Sequence, residues 1–163
     1  MKRILTLLLG LVVLVLGGRA LFRALASEET KIRWRLERME AGYDEGDVGD
    51  AIGPIATDWR HEGYPNATRD QVRAGLAHRT LTQRDRETKE LRHRVDIDWE
   101  TLEIEVDGDR ATSEFEVRFS ELVNGEWIEG WHVRARCTWR HDPNGWFLHA
   151  SSSEDIRGTA ASL

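Results

Sequence analysis

One cysteine, three prolines and two methionines are all that the 163-residue chain holds of those types. A lone cysteine excludes a disulfide within the chain, and with it the class of small disulfide-stapled scaffolds. With 40% hydrophobic residues the chain is too apolar to be disordered, and with 32% charged residues it is too polar to span a membrane many times. A glycine-rich phosphate loop is lacking, and no nucleophile-elbow glycines surround Ser151, Ser152 and Ser153. The histidines at 61, 78, 93, 132, 141 and 149 form neither a His-x-x-x-His pair nor a Cys/His cluster. No metal and no cofactor are therefore expected, and no residue is assigned a catalytic role.

Acidic residues are absent from the first 26 positions, which hold Lys2, Arg3, Arg19 and Arg23. Ile4 to Gly18 is an apolar run of membrane-targeting type. A fifteen-residue helix reaches about 22 Å against a hydrocarbon core of about 30 Å, so a span would draw in Ala20, Leu21, Phe22 and Leu25. Ala24-Leu25-Ala26 before Ser27 has the small-x-small form of a cleavage site. Residues 1–26 read as a signal peptide or a membrane anchor in the form of a hydrophobic helix. Either outcome makes the protein membrane-anchored or secreted, with the domain outside the cytoplasm, periplasmic if the source is bacterial. The rest of the chain carries all 29 acidic residues and is a poor partner for nucleic acid, since repulsion replaces counterion release.

Ser27 followed by Glu28 and Glu29 is a helix start, and Ile32, Leu36, Met39 and Tyr43 then form one stripe as far as Gly46-Asp47. Asp47 to Ala56 predicts a short second helix marred by Pro54, and Thr57 to Tyr64 a short extended piece. Thr68 caps a third helix, Arg69 to about Thr82, with Val72 and Leu76 inward. From Glu90 the period becomes two. Asp107-Gly108, Asn124-Gly125 and Asn144-Gly145 divide the remainder into four antiparallel strands. Ala111, Ser113, Phe115, Val117 and Phe119 share one face, as do Trp127, Glu129, Trp131, Val133, Ala135, Cys137 and Trp139, where Glu129 breaks an apolar row. The first strand changes parity between Trp99 and Leu102, which predicts a bulge near Glu100. Helices first and a bent meander afterwards make an α+β domain, with N-terminal helices packed on a strongly curved, mainly antiparallel sheet.

Three segments carry a resemblance: Met39-Glu40-Ala41-Gly42-Tyr43-Asp44-Glu45-Gly46-Asp47, Ile55-Ala56-Thr57-Asp58-Trp59, and Val106-Asp107-Gly108-Asp109-Arg110-Ala111-Thr112. The closing Asn144-Gly145-Trp146-Phe147-Leu148-His149 agrees. In these the chain resembles the nuclear transport factor 2-like superfamily, the cone fold of ketosteroid isomerases and SnoaL-like cyclases. The resemblance covers about Glu29 to Asp155, so residues 27–157 read as one such domain and 158–163 as a disordered tail. It implies a cavity inside a six-stranded curved sheet and a homodimer through the sheet's outer face. Carried over residue by residue, the isomerase tyrosine falls on Met39, the base near Gly63 beside Glu62, and the second acid near Cys137. Steroid-isomerase chemistry is therefore not expected.

Seven tryptophans stand out, and strand alternation sends several of them inward. The expected pocket is aromatic-walled, with Tyr43, Trp59, His61, Glu129, Trp131 and His149 as its ligand-binding residues, and suits a small apolar ligand. Binding of a small molecule or a protein without turnover is the first reading. Two alternatives stand beside it. One is an isomerase, cyclase or dehydratase using His61 or Glu62 as general base. The other is a dimeric assembly module with a filled cavity and an interface of Ile128, His132, Arg134 and Arg136. Cys137, between Ala135 and Trp139 on the apolar face, is expected to act as a small hydrophobe.

Overall fold

A computed structural model describes residues 25–85, 88 and 90–158. Residues 1–24 of the anchor or signal segment and residues 159–163 of the tail lie outside the described residues. Among those described, no helix is long and apolar enough to cross a membrane.

Helix α1 spans Glu28–Glu45, with the Ser27 hydroxyl accepting from Thr30 N and Gly46 closing it in the left-handed region at φ 75°. Helix α2 is a single short stretch, Val48–Ile52, capped by Asp47. It ends earlier than the sequence pattern suggests because Pro54 offers no amide hydrogen. The Pro54 carbonyl instead accepts from Leu148 N at 2.9 Å, and strand β1, Ile55–His61, begins at the next residue. Helix α3 spans Arg69–Thr82 behind a full capping box between Thr68 and Gln71.

Four strands then follow in a meander: β2 His93–Asp107, β3 Arg110–Val123, β4 Glu126–Asp142 and β5 Gly145–Gly158. Together with β1 they make a five-stranded sheet in the order β1-β5-β4-β3-β2, antiparallel except for the β1–β5 pair. The six strands implied by the resemblance are thus five among the described residues. After His61 the chain doubles back into one bridge, His61 with Tyr64, and Pro65, which has no N–H, stops that ladder from growing. Gly158, the first residue of the expected tail, is still in β5.

Bulges bend the sheet. The expected one lies between Asp98 and Glu103, where the Thr101 hydroxyl takes over the ladder position and accepts from Glu116 N at 2.9 Å. Others lie at Gly130 on β4 and at the Trp139–Leu148 step between β4 and β5. The concave face holds the core: Ile32 and Leu36 of α1 pack with Trp59, Ile97, Phe115, Val117, Val133, Trp139, Trp146 and Leu148.

Strand β2 is a sheet edge, and edges invite pairing with other chains. Here α1 covers it with two carboxylates four residues apart. Asp44 Oδ1 accepts from Val95 N and Glu40 Oε1 from Ile97 N, both at 2.7 Å. On the convex face, charges pair across strands: Arg136 with Glu114, Arg134 and His132 with Glu116, and Arg118 with Asp96 and Asp98.

Candidate functional site

Between the helices and the concave sheet lies a cavity of about 330 Å³. Leu36, Met39 and Tyr43 close it from α1, Val72 and Leu76 from α3. Phe115, Val117 and Phe119 wall it from β3, and Trp131, Val133 and Ala135 from β4. Phe119 and Trp131 stack with ring centroids 4.9 Å apart, and Tyr43 meets Phe119 edge-on.

Four of the six expected pocket residues line this hollow: Tyr43, Trp59, His61 and Trp131. The other two do not. Gly130 makes an extra residue on β4, so the register runs from Phe119–Trp131 to Ser120–Glu129 and every side chain before the bulge changes face. Glu129 is consequently on the convex side, 4.0 Å from Arg118 and 3.6 Å from Arg157. Trp127 moves with it, lies under the Arg94 guanidinium at 4.6 Å and stays 39% exposed. His149 is also turned outward, with Nδ1 2.8 Å from Asp58 Oδ1 and 3.1 Å from Arg140 Nη2. A carboxylate does therefore sit beside an imidazole, but it is Asp58, in a separate cleft shared with Arg69 and Phe147. Glu62, the alternative base, is exposed and does not line the cavity.

The sequence pattern missed Glu40 and the Ser151–Ser153 run, which line the cavity as well. Burial raises the Glu40 carboxyl above its ordinary range, against the pull of the Ile97 amide. Ser151 Oγ accepts from Trp59 Nε1 at 3.2 Å, and the Tyr43 phenol oxygen accepts from Arg79 Nη1 at 2.9 Å. Burial also raises the Tyr43 hydroxyl, and it pushes the Cys137 thiol up to about 12, so that thiol is neutral and packs as expected. His61 Nδ1 accepts from Gly63 N at 3.0 Å, and burial holds the imidazole below its usual value. Among the described residues, no three His, Cys, Asp or Glu side chains gather as metal ligands.

His93 sits behind Tyr43, ring centroids 5.0 Å apart, only 4% exposed and with Nδ1 unpartnered. Burial, and then the charges of Arg79 and Arg84, lower its pKa to about 4. In the unfolded chain it binds a proton near 6.5, so unfolding takes up protons between these values. Its stabilisation is complete above about 6.5 and fades as the pH falls toward 4. At pH 5 the loss attributable to this one group is about 2 kcal/mol. Glu40 and Asp44, raised by burial, work the opposite way in acid, so the comparison must be with His93→Phe. Urea midpoints between pH 7 and 5 are expected to fall less for that variant than for the parent, and parallel curves would refute the assignment.

No protein-family model matches the chain, and neither does any curated protein. Solved structures do. An NTF2-like protein with a cystatin-like fold from Novosphingobium aromaticivorans is 21% identical, with a TM-score of 0.65, over 90% of this chain and 92% of that one. An NTF2-like superfamily protein from Salmonella enterica serovar Typhimurium is 18% identical, with a TM-score of 0.61, over 82% and 94%. A Nostoc punctiforme protein of unknown function with a cystatin-like fold is 16% identical, with a TM-score of 0.62, over 82% and 94%. At such identities the likeness is one of fold, and the fold is the cone of the nuclear transport factor 2-like proteins.

Proposed function

We propose that this domain binds a small apolar molecule in its cavity and does not turn it over. The observation that carries the reading is an apolar hollow of about 330 Å³ whose basic groups are already engaged. The His61 lone pair is taken by the Gly63 amide, and one Glu40 oxygen by the Ile97 amide. A general base needs a free lone pair within reach of the substrate proton; His61 presents none, and the Glu40 carboxyl is held by Trp99 as well as by the Ile97 amide. The volume lies at the lower end of the roughly 300–1,000 Å³ usual for small-molecule sites. An assembly module with a filled cone fits less well, because the cone is hollow. The leader reading of residues 1–26 belongs to the same proposal and puts the domain outside the cytoplasm. So does pairing of two copies through the convex face, where mutual neutralisation of the charges lowers the cost of bringing two such faces together.

Filling the hollow tests the reading. Val72→Trp on α3 projects an indole into the space, and naphthalene serves as the probe in equilibrium dialysis. The parent is expected to retain naphthalene, and the variant to bind it at least about tenfold more weakly with an unchanged circular dichroism spectrum. Equal retention by the two proteins would place the probe elsewhere and remove the cavity from the proposal.

A further inference from the structure

Three polar groups along the cavity wall offer a hydrogen, and this restricts what the proposed ligand can be. A neutral imidazole has one N–H and one lone pair. Because His61 Nδ1 accepts from Gly63 N, the proton is on Nε2. The Nδ1–Cε1 edge of the ring faces Gly63, whose absent Cβ would stand 3.3 Å from Cε1 and 3.4 Å from Nδ1. His61 is among the residues that line the cavity, and among the described residues no acceptor takes its Nε2 hydrogen. Beside it Ser151 Oγ already accepts from Trp59 Nε1, so its own O–H is a second donor. Tyr43, whose oxygen accepts from Arg79, supplies a third.

Charge narrows the class further. No Lys or Arg is among the residues lining the cavity, and the carboxyl group among them is that of Glu40. A carboxylate brought into this hollow would lose its hydration without gaining a cation, and it would face another carboxyl group. A carbonyl or alcohol oxygen meets neither penalty and finds N–H and O–H groups waiting. Building on the ligand-binding reading, we propose that the cavity selects neutral lipophiles bearing an oxygen acceptor at one end, with His61 Nε2–H as the donor to that oxygen.

Three probes that share a ring system test this on the full chain at pH 7.5 by equilibrium dialysis: naphthalene, 2-acetylnaphthalene and 2-naphthoate. The ketone is expected to bind about tenfold more tightly than naphthalene, the size of one good buried hydrogen bond, and the carboxylate at least about tenfold more weakly than the ketone. His61→Phe should abolish the ketone's advantage while naphthalene still binds, and His61→Gln, which keeps an N–H donor, should restore part of it. Equal binding of ketone and hydrocarbon, preference for the carboxylate, or an undiminished ketone advantage in His61→Phe would each overturn the donor assignment and leave the cavity reading standing. Failure of all three probes to bind the folded parent would overturn the cavity reading, and this proposal with it.

Discussion

Replacing Trp139 with alanine is expected to destabilise the domain by about 3–5 kcal/mol, the range for deleting a fully buried large aromatic side chain. Its exposure is 0%, and it fills the closed end of the cone rather than lining the hollow. Two effects add: the lost apolar burial with its new void, and the loss of a buried hydrogen bond from Nε1 to Ser113 Oγ at 2.9 Å. Two further variants separate them. Trp139→Phe keeps most of the ring but takes the donor away from the Ser113 oxygen, and Ser113→Ala strands the indole N–H. Each should cost about 1–3 kcal/mol, and the double variant should cost less than their sum, because no polar atom is then left unpaired. Urea unfolding of the four proteins measures this cycle. A cost for Trp139→Ala near 1 kcal/mol would mean that this end of the cone is loosely packed.

The same inner face shows where pattern reading succeeds and where it fails. Phe115, Val117 and Phe119 alternate without interruption, so period two alone assigned them correctly to the concave side. On β4 the alternation holds from Trp131 onward and fails before it. The reason is Gly130, a residue whose side chain, being absent, records no face. Gly130 is also the one local mark of the inserted position, a glycine inside a strand pattern, and the insertion carries Glu129 and Trp127 away from the cavity. On β5 parity counted from Trp146 and Leu148 itself sends His149 outward, where it lies, and the bulge at the step after Leu148 is what turns Ser151 inward against that parity.

Helix α1 illustrates a different limit. Its apolar stripe of Ile32, Leu36, Met39 and Tyr43 was legible, and all four pack against the core or line the cavity. Glu40 and Asp44 were not legible as structural groups, because acids flanking a helical stripe normally face water. Here they face the bare edge of β2, more than fifty residues away in sequence, and bond its amides. Single-segment patterns hold no information about which distant strand end lies unpaired beside a helix. The tautomer of His61 was hidden for the same reason, since it depends on a turn that brings the Gly63 amide back onto Nδ1.

Gly42→Ala is expected to cost about 3 kcal/mol or more, although alanine is the best helix former and Gly42 lies in a helix interior. A Cβ at this position would stand 2.8 Å from the carbonyl carbon of Asp50 and closer still to the amide nitrogen of Ala51. Both are backbone atoms, so no rotamer change relieves the overlap. Nor can α2 retreat readily, because Asp47 caps it through Asp50 N at 3.0 Å and the Ala51 amide bonds Asp47 O at 2.9 Å. The helices must move apart instead, and that carries consequences to the cavity, since Met39, Glu40 and Tyr43 line it from α1 and Ala51 from α2. Naphthalene retention should therefore weaken together with stability. Gly75→Ala on α3 is the matched control: nothing lies within 4 Å of its would-be Cβ, so helix propensity alone should stabilise the protein by about 0.5–1 kcal/mol. Opposite signs for the two glycine replacements, read as shifts in the urea midpoint, are the expected result. A stabilised Gly42→Ala would show that α1 and α2 do not approach as closely as the geometry requires, and the helical wall of the cavity would have to be redrawn.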